Sequence, residues 1–226
     1  CTSELMTGLA KLAKEYDVPV QSHLSENHGE IDWVASLHPE SSNYTDVYYE
    51  HHLMGTVPTV MAHCIHLSDV EMDRMAETQT MVSHCPYSNV NLSSGIAPIR
   101  KLIERNIPIG LGSDISGGHI VSMAKVLTEA IGLSKMKWAE VDPNYAPLTL
   151  SEAFYMATKG GGQFFGHVGS FEKGYELDAL IIDDTSLFDP NERSLEERLE
   201  RWLYVGDDRH IIERYVAGRV VPSPKG

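Results

Sequence analysis

The chain has 226 residues, enough for one large domain or part of one. Acidic residues outnumber basic ones 32 to 18, and the formal charge of −14 argues against a nucleic-acid backbone as partner, which calls for clustered Lys and Arg. Hydrophobic residues make up 42% of the chain, so a substantial core is expected, yet no apolar run approaches the roughly 20 residues of a membrane span.

Thr2-Ser3-Glu4 opens a predicted helix over residues 3–16, with Leu5, Leu9 and Leu12 at helical spacing. Because Cys1 stands where a Met would start a chain, and a helix begins at once, we expect a strand and further sequence upstream. Residues 18–23 read as a short buried strand. Asn27 and Glu30 then form a capping-box pattern ahead of Ile31, Val34 and Ala35 on one helix face. Residues 38–56, with Tyr44, Tyr48 and Tyr49, read as an irregular insertion or lid whose aromatics pack rather than stack on a substrate. A second strand covers residues 59–63, followed by a capping box at Ser68 and Glu71 with Met72, Met75 and Ala76 turned inward. A third covers 80–84. A helix carrying Ile96, Ile99, Leu102 and Ile103 follows, with Pro98 tolerated only near its first turn. The fourth strand spans 108–112, and a longer helix covers about 120–137.

Four successive βα units with buried strands imply an α/β fold with a parallel sheet and outer helices. Each strand ends in a polar residue on a common rim, which favours the second half of a (β/α)8 TIM-type barrel over an open doubly wound sheet. Beyond residue 140 the pattern changes. Thr149 and Glu152 cap a helix carrying Leu150, Ala153, Phe154 and Ala157, and glycines occupy 160–162. A turn and strand over 171–183, a capped helix over 194–203 and a last strand over 214–221 with a turn at Gly218 read as part of a small β-sandwich subdomain. The predicted division is a barrel segment, 1–165, holding strands five to eight, and a C-terminal β subdomain segment, 166–226.

Candidate chemistry lies at the strand ends. His23 and Asp114 offer a neutral imidazole and a carboxylate, both suited to a metal. Glu26, three residues past His23, can overhang the same pocket as a non-ligand carboxylate suited to proton shuttling. His63, from the next strand, could polarise the same water or donate to an oxyanion. His84 also ends a strand, although the Cys85-Pro86 turn alone could account for it, and Ser88 and Asn89 could simply hold that loop. His28, His38, His51, His52 and His210 sit in polar stretches and are expected at the surface. Cys1, Cys64 and Cys85 are too few for a Cys-rich zinc site and read as reduced thiols in a cytoplasmic protein. Residues 110–118 lack the Lys and spacing of a P-loop, and no Ser sits in a nucleophile elbow.

Together, Ser22-His23-Leu24-Ser25-Glu26, Ala62-His63, Ser83-His84-Cys85-Pro86 with Ser88-Asn89, and Gly110-Leu111-Gly112-Ser113-Asp114 resemble the metal-dependent amidohydrolase superfamily. Within it the chain is similar to the guanine deaminase family, through Gln21 to Asn27, Asn43-Tyr44-Thr45, Leu92-Ser93-Ser94-Gly95, Asp114 to Gly118, Phe171-Glu172 with Gly174, and Leu203 to Arg209. The resemblance implies a barrel with a composite β-sandwich, one Zn2+, a small-molecule purine substrate and hydrolytic removal of ammonia from guanine. It implies that His23 and Asp114 bind the zinc, and that Glu26 carries a proton to the purine ring. Asp114 would take a proton from the attacking water, and His63 would assist that water. It also implies that His23, Leu24, Ser25, Glu26 and Asp114 line the substrate, and that the whole protein is a cytoplasmic homodimer with neither nucleic acid nor membrane as partner.

Three departures stand out. Cys64 follows His63 where the family commonly has Gly, and Tyr87 stands where Asn is common. The family's His-x-His zinc pair, and the Arg and Gln that read the base, belong to upstream segments absent from this chain. The expectation is therefore an active whole protein and an inactive isolated chain, since a catalytic zinc site takes about three protein ligands. The alternatives are an amidohydrolase of another heterocycle, of cytosine, adenosine or triazine type, and a non-catalytic interaction protein on a decayed barrel.

Overall fold

The computed structural model describes residues 1–222; the last four residues of the predicted C-terminal segment, 223–226, lie outside the described residues. Helix α1 (Ser3–Tyr16) starts where the Thr2 hydroxyl accepts from Leu5 N, and it ends at a left-handed Asp17. Strands β1 (Val20–Leu24), β2 (Thr59–His63), β3 (Met81–His84) and β4 (Ile109–Leu111) pair side by side in chain order, all parallel. Parallel neighbours need long crossovers, and helices supply them. These are α2 (His28–Leu37) and α3 (Tyr44–Glu50), then α4 (Asp69–Glu77), then α5 (Pro86–Asn91) and α6 (Ile99–Glu104). The register sets Leu24 opposite His63 and His84 opposite Leu111, so the C-terminal strand ends share one rim.

Leu24, Met61, Val82 and Ile109 bring the strands into a core completed by Met72, Met75 and Leu102 and by Leu127 and Ile131 of α7 (Met123–Glu140). Each such side chain contributes roughly 1.5–3 kcal/mol on burial. The capping box of Ser68 and Glu71 forms as predicted, and the same buried Glu71 carboxylate accepts from Thr45 N and Oγ1, which ties α3 to α4. A second capping box starts α8 (Leu150–Tyr155) at Thr149. The predicted glycine cluster lies against β4: a Cβ on Gly110 would stand 2.8 Å from Gly161 Cα, so the two backbones can touch only without side chains.

Further along, the described residues include a three-stranded antiparallel sheet of β5 (Ala179–Ile182), β6 (Ile211–Val216) and β7 (Arg219–Val220). Helix α9 (Leu195–Val205), capped by Ser194, lies between β5 and β6; its Trp202 and Leu203 join the main core, and Lys125 Nζ donates to Leu203 O and Tyr204 O. No helix among the described residues is long and apolar enough to cross a membrane.

Several expectations are corrected. The stretch 38–56 is irregular only at 38–43 and 51–56 and is no loose lid: between them Asn43 caps α3, whose Tyr44, Thr45 and Val47 are buried. Helix α5 was not anticipated, and the predicted last strand is a hairpin of β6 and β7 turning at Ala217 and Gly218. Leu5, Leu9 and Leu12 are exposed, while Met6, Ala10 and Ala13 form the buried face of α1. His38 and His210 are buried rather than at the surface. His38 closes α2, while the His210 ring is bonded to Ser186 and Asp207. The Asn27–Glu30 capping box forms on one side only, because the Glu30 carboxylate is engaged elsewhere.

Candidate active site

The rim gathers His23, Glu26, His63, His84 and Asp114, each at or just past the end of a strand. Backbone geometry aims them. Ser25, His63, Cys64 and Asp114 have φ of 49°, 70°, 52° and 43°, a left-handed region that non-glycine residues adopt at a cost of order 1–3 kcal/mol. At Cys64 a fully buried cysteine is held in a conformation that glycine adopts most readily.

His63 is buried, and its Nδ1 donates to Asn89 Oδ1 at 3.0 Å, so Nε2 faces Glu26 Oε2 at 3.7 Å. The other Glu26 oxygen, Oε1, accepts from Ser94 Oγ at 2.9 Å. Ser94 is positioned in turn by its backbone N donating to Asn89 O. Asn89 thus orients the imidazole through its side chain and, through its carbonyl and Ser94, the carboxylate.

The His23 side chain is half exposed, with Nδ1 2.7 Å from Glu30 Oε1; its ring stands 6.5 Å from that of His63. The hydrogen bond to Glu30 raises the pKa of His23, helped by the charges of Glu30, Glu26 and Asp114 against the opposing effect of burial. Burial alone would raise Glu30, but hydrogen bonds from His23, Glu26 N and Tyr44 hold it below the usual carboxylate value. Asp114 is exposed just past β4, in a turn closed by Gly118 N donating to Asp114 O. A Cβ at Gly117 would lie 2.6 Å from Asp114 Oδ2 and 2.8 Å from Ser88 Oγ, so glycine leaves room for that carboxylate.

The other expected residues are placed differently. Leu24 is fully buried in the core, and Ser25 is also buried; their carbonyls accept from Cys64 N, Ile65 N and His66 N and join the ends of β1 and β2. Neither presents a side chain on the rim surface. His84 is fully buried with Nδ1 unpartnered, and burial, aided by the neighbouring His63, pushes its pKa down to about 3. Ser88 Oγ and Asn89 Nδ2 are likewise buried without partners. Glu30 is the site residue that the sequence did not single out, since the spacing from Asn27 already explained it as a cap.

Among the described residues no three His, Cys, Asp or Glu side chains are grouped to hold a metal by themselves. The donor set nonetheless fits two positions of a metal centre. His23 has Nδ1 on a carboxylate, the usual outer partner of a metal-bound imidazole, which leaves Nε2 free, and the exposed Asp114 carboxylate offers an oxygen donor.

The amidohydrolase family profile matches residues 1–221. The chain belongs to the amidohydrolase family. This amidohydrolase chain is 43% identical over 228 residues to guanine deaminase of Dictyostelium discoideum, a match covering 98% of the chain and 50% of the relative. It is 40% identical over 234 residues to the guanine deaminase of Mus musculus, covering 98% and 51%. Among solved structures, guanine deaminase from C. acetobutylicum with bound guanine in the active site superposes with a TM-score of 0.94 at 52% identity, covering 98% of this chain and 52% of that one. The chain thus spans about half the length of the curated relatives that it matches.

Proposed function

We propose that the whole protein is a zinc-dependent guanine deaminase, converting guanine and water to xanthine and ammonia. The observation that carries this reading is the Glu26 carboxylate, fixed by Ser94 and facing His63 on the rim that also bears His23 and Asp114. The matches to guanine deaminases, 43% and 40% identical over 98% of the chain, favour guanine over cytosine, adenosine or a triazine. Intact acid–base and ligand residues speak against a decayed interaction scaffold.

Zinc, when bound, supplies a Lewis acid that makes water a competent nucleophile near neutral pH. His23 through Nε2 and Asp114 through its carboxylate would hold it, with the remaining ligands outside this chain. The chain's own groups then manage the protons. Asp114 takes a proton from the attacking water, and Glu26 protonates the purine ring nitrogen beside the amino-bearing carbon. The water oxygen bonds to that carbon; Glu26, ionised by its first transfer, takes the remaining hydroxyl proton and passes it to the amino group. The carbon–nitrogen bond breaks as the carbonyl forms, ammonia leaves, and the proton held by Asp114 returns to Glu26. His63, oriented by Asn89, presents Nε2 to the water and to the developing charge. The backbone of Leu24 and Ser25 shapes the wall between His23 and Glu26, so that residues 23–26 and Asp114 border the substrate.

In the same reading, β1–β4 with their helices are strands five to eight of a (β/α)8 barrel (residues 1–165), and residues 166–226 contribute to a β-sandwich subdomain. The whole protein is a cytoplasmic homodimer. The test is a substrate panel on full-length protein, followed by ammonia release, with zinc removed and restored. Turnover of guanine above the other heterocycles, lost on chelation and recovered with zinc, is expected. Preference for another heterocycle refutes the guanine assignment, and activity indifferent to the metal refutes the mechanism.

A further inference from the structure

The Glu30 carboxylate stands at a junction that a helix cap does not require. Glu30 N donates to Asn27 Oδ1 at 2.9 Å, which satisfies the start of α2. Its carboxylate is turned to other groups: Oε1 lies 2.7 Å from His23 Nδ1 and accepts from Tyr44 Oη at 3.0 Å, while Oε2 accepts from Glu26 N at 2.8 Å. The side chain is only 14% exposed, so water competes weakly for these bonds. Tyr44 is held by stacking on Tyr48, whose hydroxyl bonds to His23 O and Ser22 Oγ on the same strand end.

We propose that Glu30 is a positioning residue that orients the His23 imidazole toward the metal and, through its backbone N–H, fixes Glu26 over the substrate. The proposal rests on the metal-hydrolase reading above. One carboxylate oxygen holds His23 with Nε2 outward, and the other sets where the proton carrier leaves the strand. Helix α3 then acts as the brace that keeps this carboxylate in place. Glutamine cannot substitute. A carboxylate can accept from all three donors at once, whereas an amide has one oxygen, and its NH2 opposes any donor that it meets.

The test compares wild type, Glu30→Asp and Glu30→Gln in the full-length protein. Zinc affinity is measured by competition with a chromophoric chelator, alongside kcat and KM for guanine. Loss of an outer partner of a metal-bound histidine typically weakens metal binding about 10–100-fold, and Glu30→Gln is expected in that range, with Glu30→Asp intermediate. Because Glu30 does not touch substrate, kcat should fall while KM stays within about twofold. Should Glu30→Gln fail to fold, Glu30→Asp, which keeps the charge but shortens the reach, still decides the question. Zinc affinity equal to wild type in the folded variants overturns the proposal. A wild-type protein that binds zinc but leaves guanine unchanged sinks the substrate assignment instead, and the zinc series still decides the role of Glu30.

Discussion

Replacing Ser94 by alanine tests whether Glu26 works as a positioned proton carrier. The Ser94 hydroxyl donates to Glu26 Oε1 at 2.9 Å from a buried position. A hydrogen bond to a charged group is worth about 1.5–3 kcal/mol, and each ~1.4 kcal/mol of lost transition-state stabilisation is tenfold in rate. Without the hydroxyl, the carboxylate is free to swing toward His63 Nε2, now 3.7 Å away, and to trade proton delivery for an ion pair. Ser94→Ala should therefore lower kcat for guanine by about 10–100-fold. Zinc content should be unchanged, because Ser94 contacts neither His23 nor Asp114. Steady-state kinetics with metal analysis on full-length protein make the comparison. A kcat within about twofold of wild type, at full zinc occupancy, would refute the idea that this bond aims Glu26.

Asp114→Ala and Glu26→Gln should each abolish turnover, but only the first should markedly weaken zinc binding; equal zinc loss in both would mean that Glu26 is itself a ligand. Arg100 straps α6 to the segment before α8, donating to Ala146 O, Pro147 O and both oxygens of Glu152, so Arg100→Ala should cost about 2–3 kcal/mol in urea unfolding. An unchanged midpoint would show that solvent replaces these bonds. Arg100, with help from Thr149, also holds Glu152 at about 2, so the strap's contribution should be complete above pH 4.5 and fade as pH falls toward 2. His84 has the same sign for a different reason. Its imidazole is pushed from 6.5 to about 3 by burial, so between those values the unfolded chain binds a proton that the folded chain refuses. Stability of the metal-stripped protein should therefore fall from pH 7 to pH 5, and His84→Gln should flatten that slope; an equal slope in the variant would rule His84 out as the source.

The rim residues were legible in the sequence because each chemical group ends a short apolar run, and the parallel sheet then brings those ends together. Strand order followed for the same reason: apolar runs alternate with helix starts, one of them marked by the capping box of Ser68 with Glu71 after β2, although α5 and α7 begin without a side-chain cap. Glu30 escaped notice because a glutamate three residues after an Asn is the pattern of a cap; only the position of His23 and Tyr44 in space shows that its carboxylate has other partners. Helix α3 was hidden by its aromatic content, although Asn43 and Asp46 supplied the ordinary start signal. Leu5, Leu9 and Leu12 misled because periodicity reports that a face is apolar and not which neighbour covers it. Polar flanks failed to forecast His38 and His210, whose burial depends on contacts distant in sequence.

The left-handed strand ends carry a consequence for redesign. At His63 and Asp114 the direction of the side chain is written into the main chain, so a new reaction could be installed by exchanging what the backbone points with, but not by altering how it points. Libraries at these positions should draw on Asn, Asp, His and Gly, which tolerate such dihedrals, and should exclude Val and Ile, which would unwind the strand end before any chemistry could be judged.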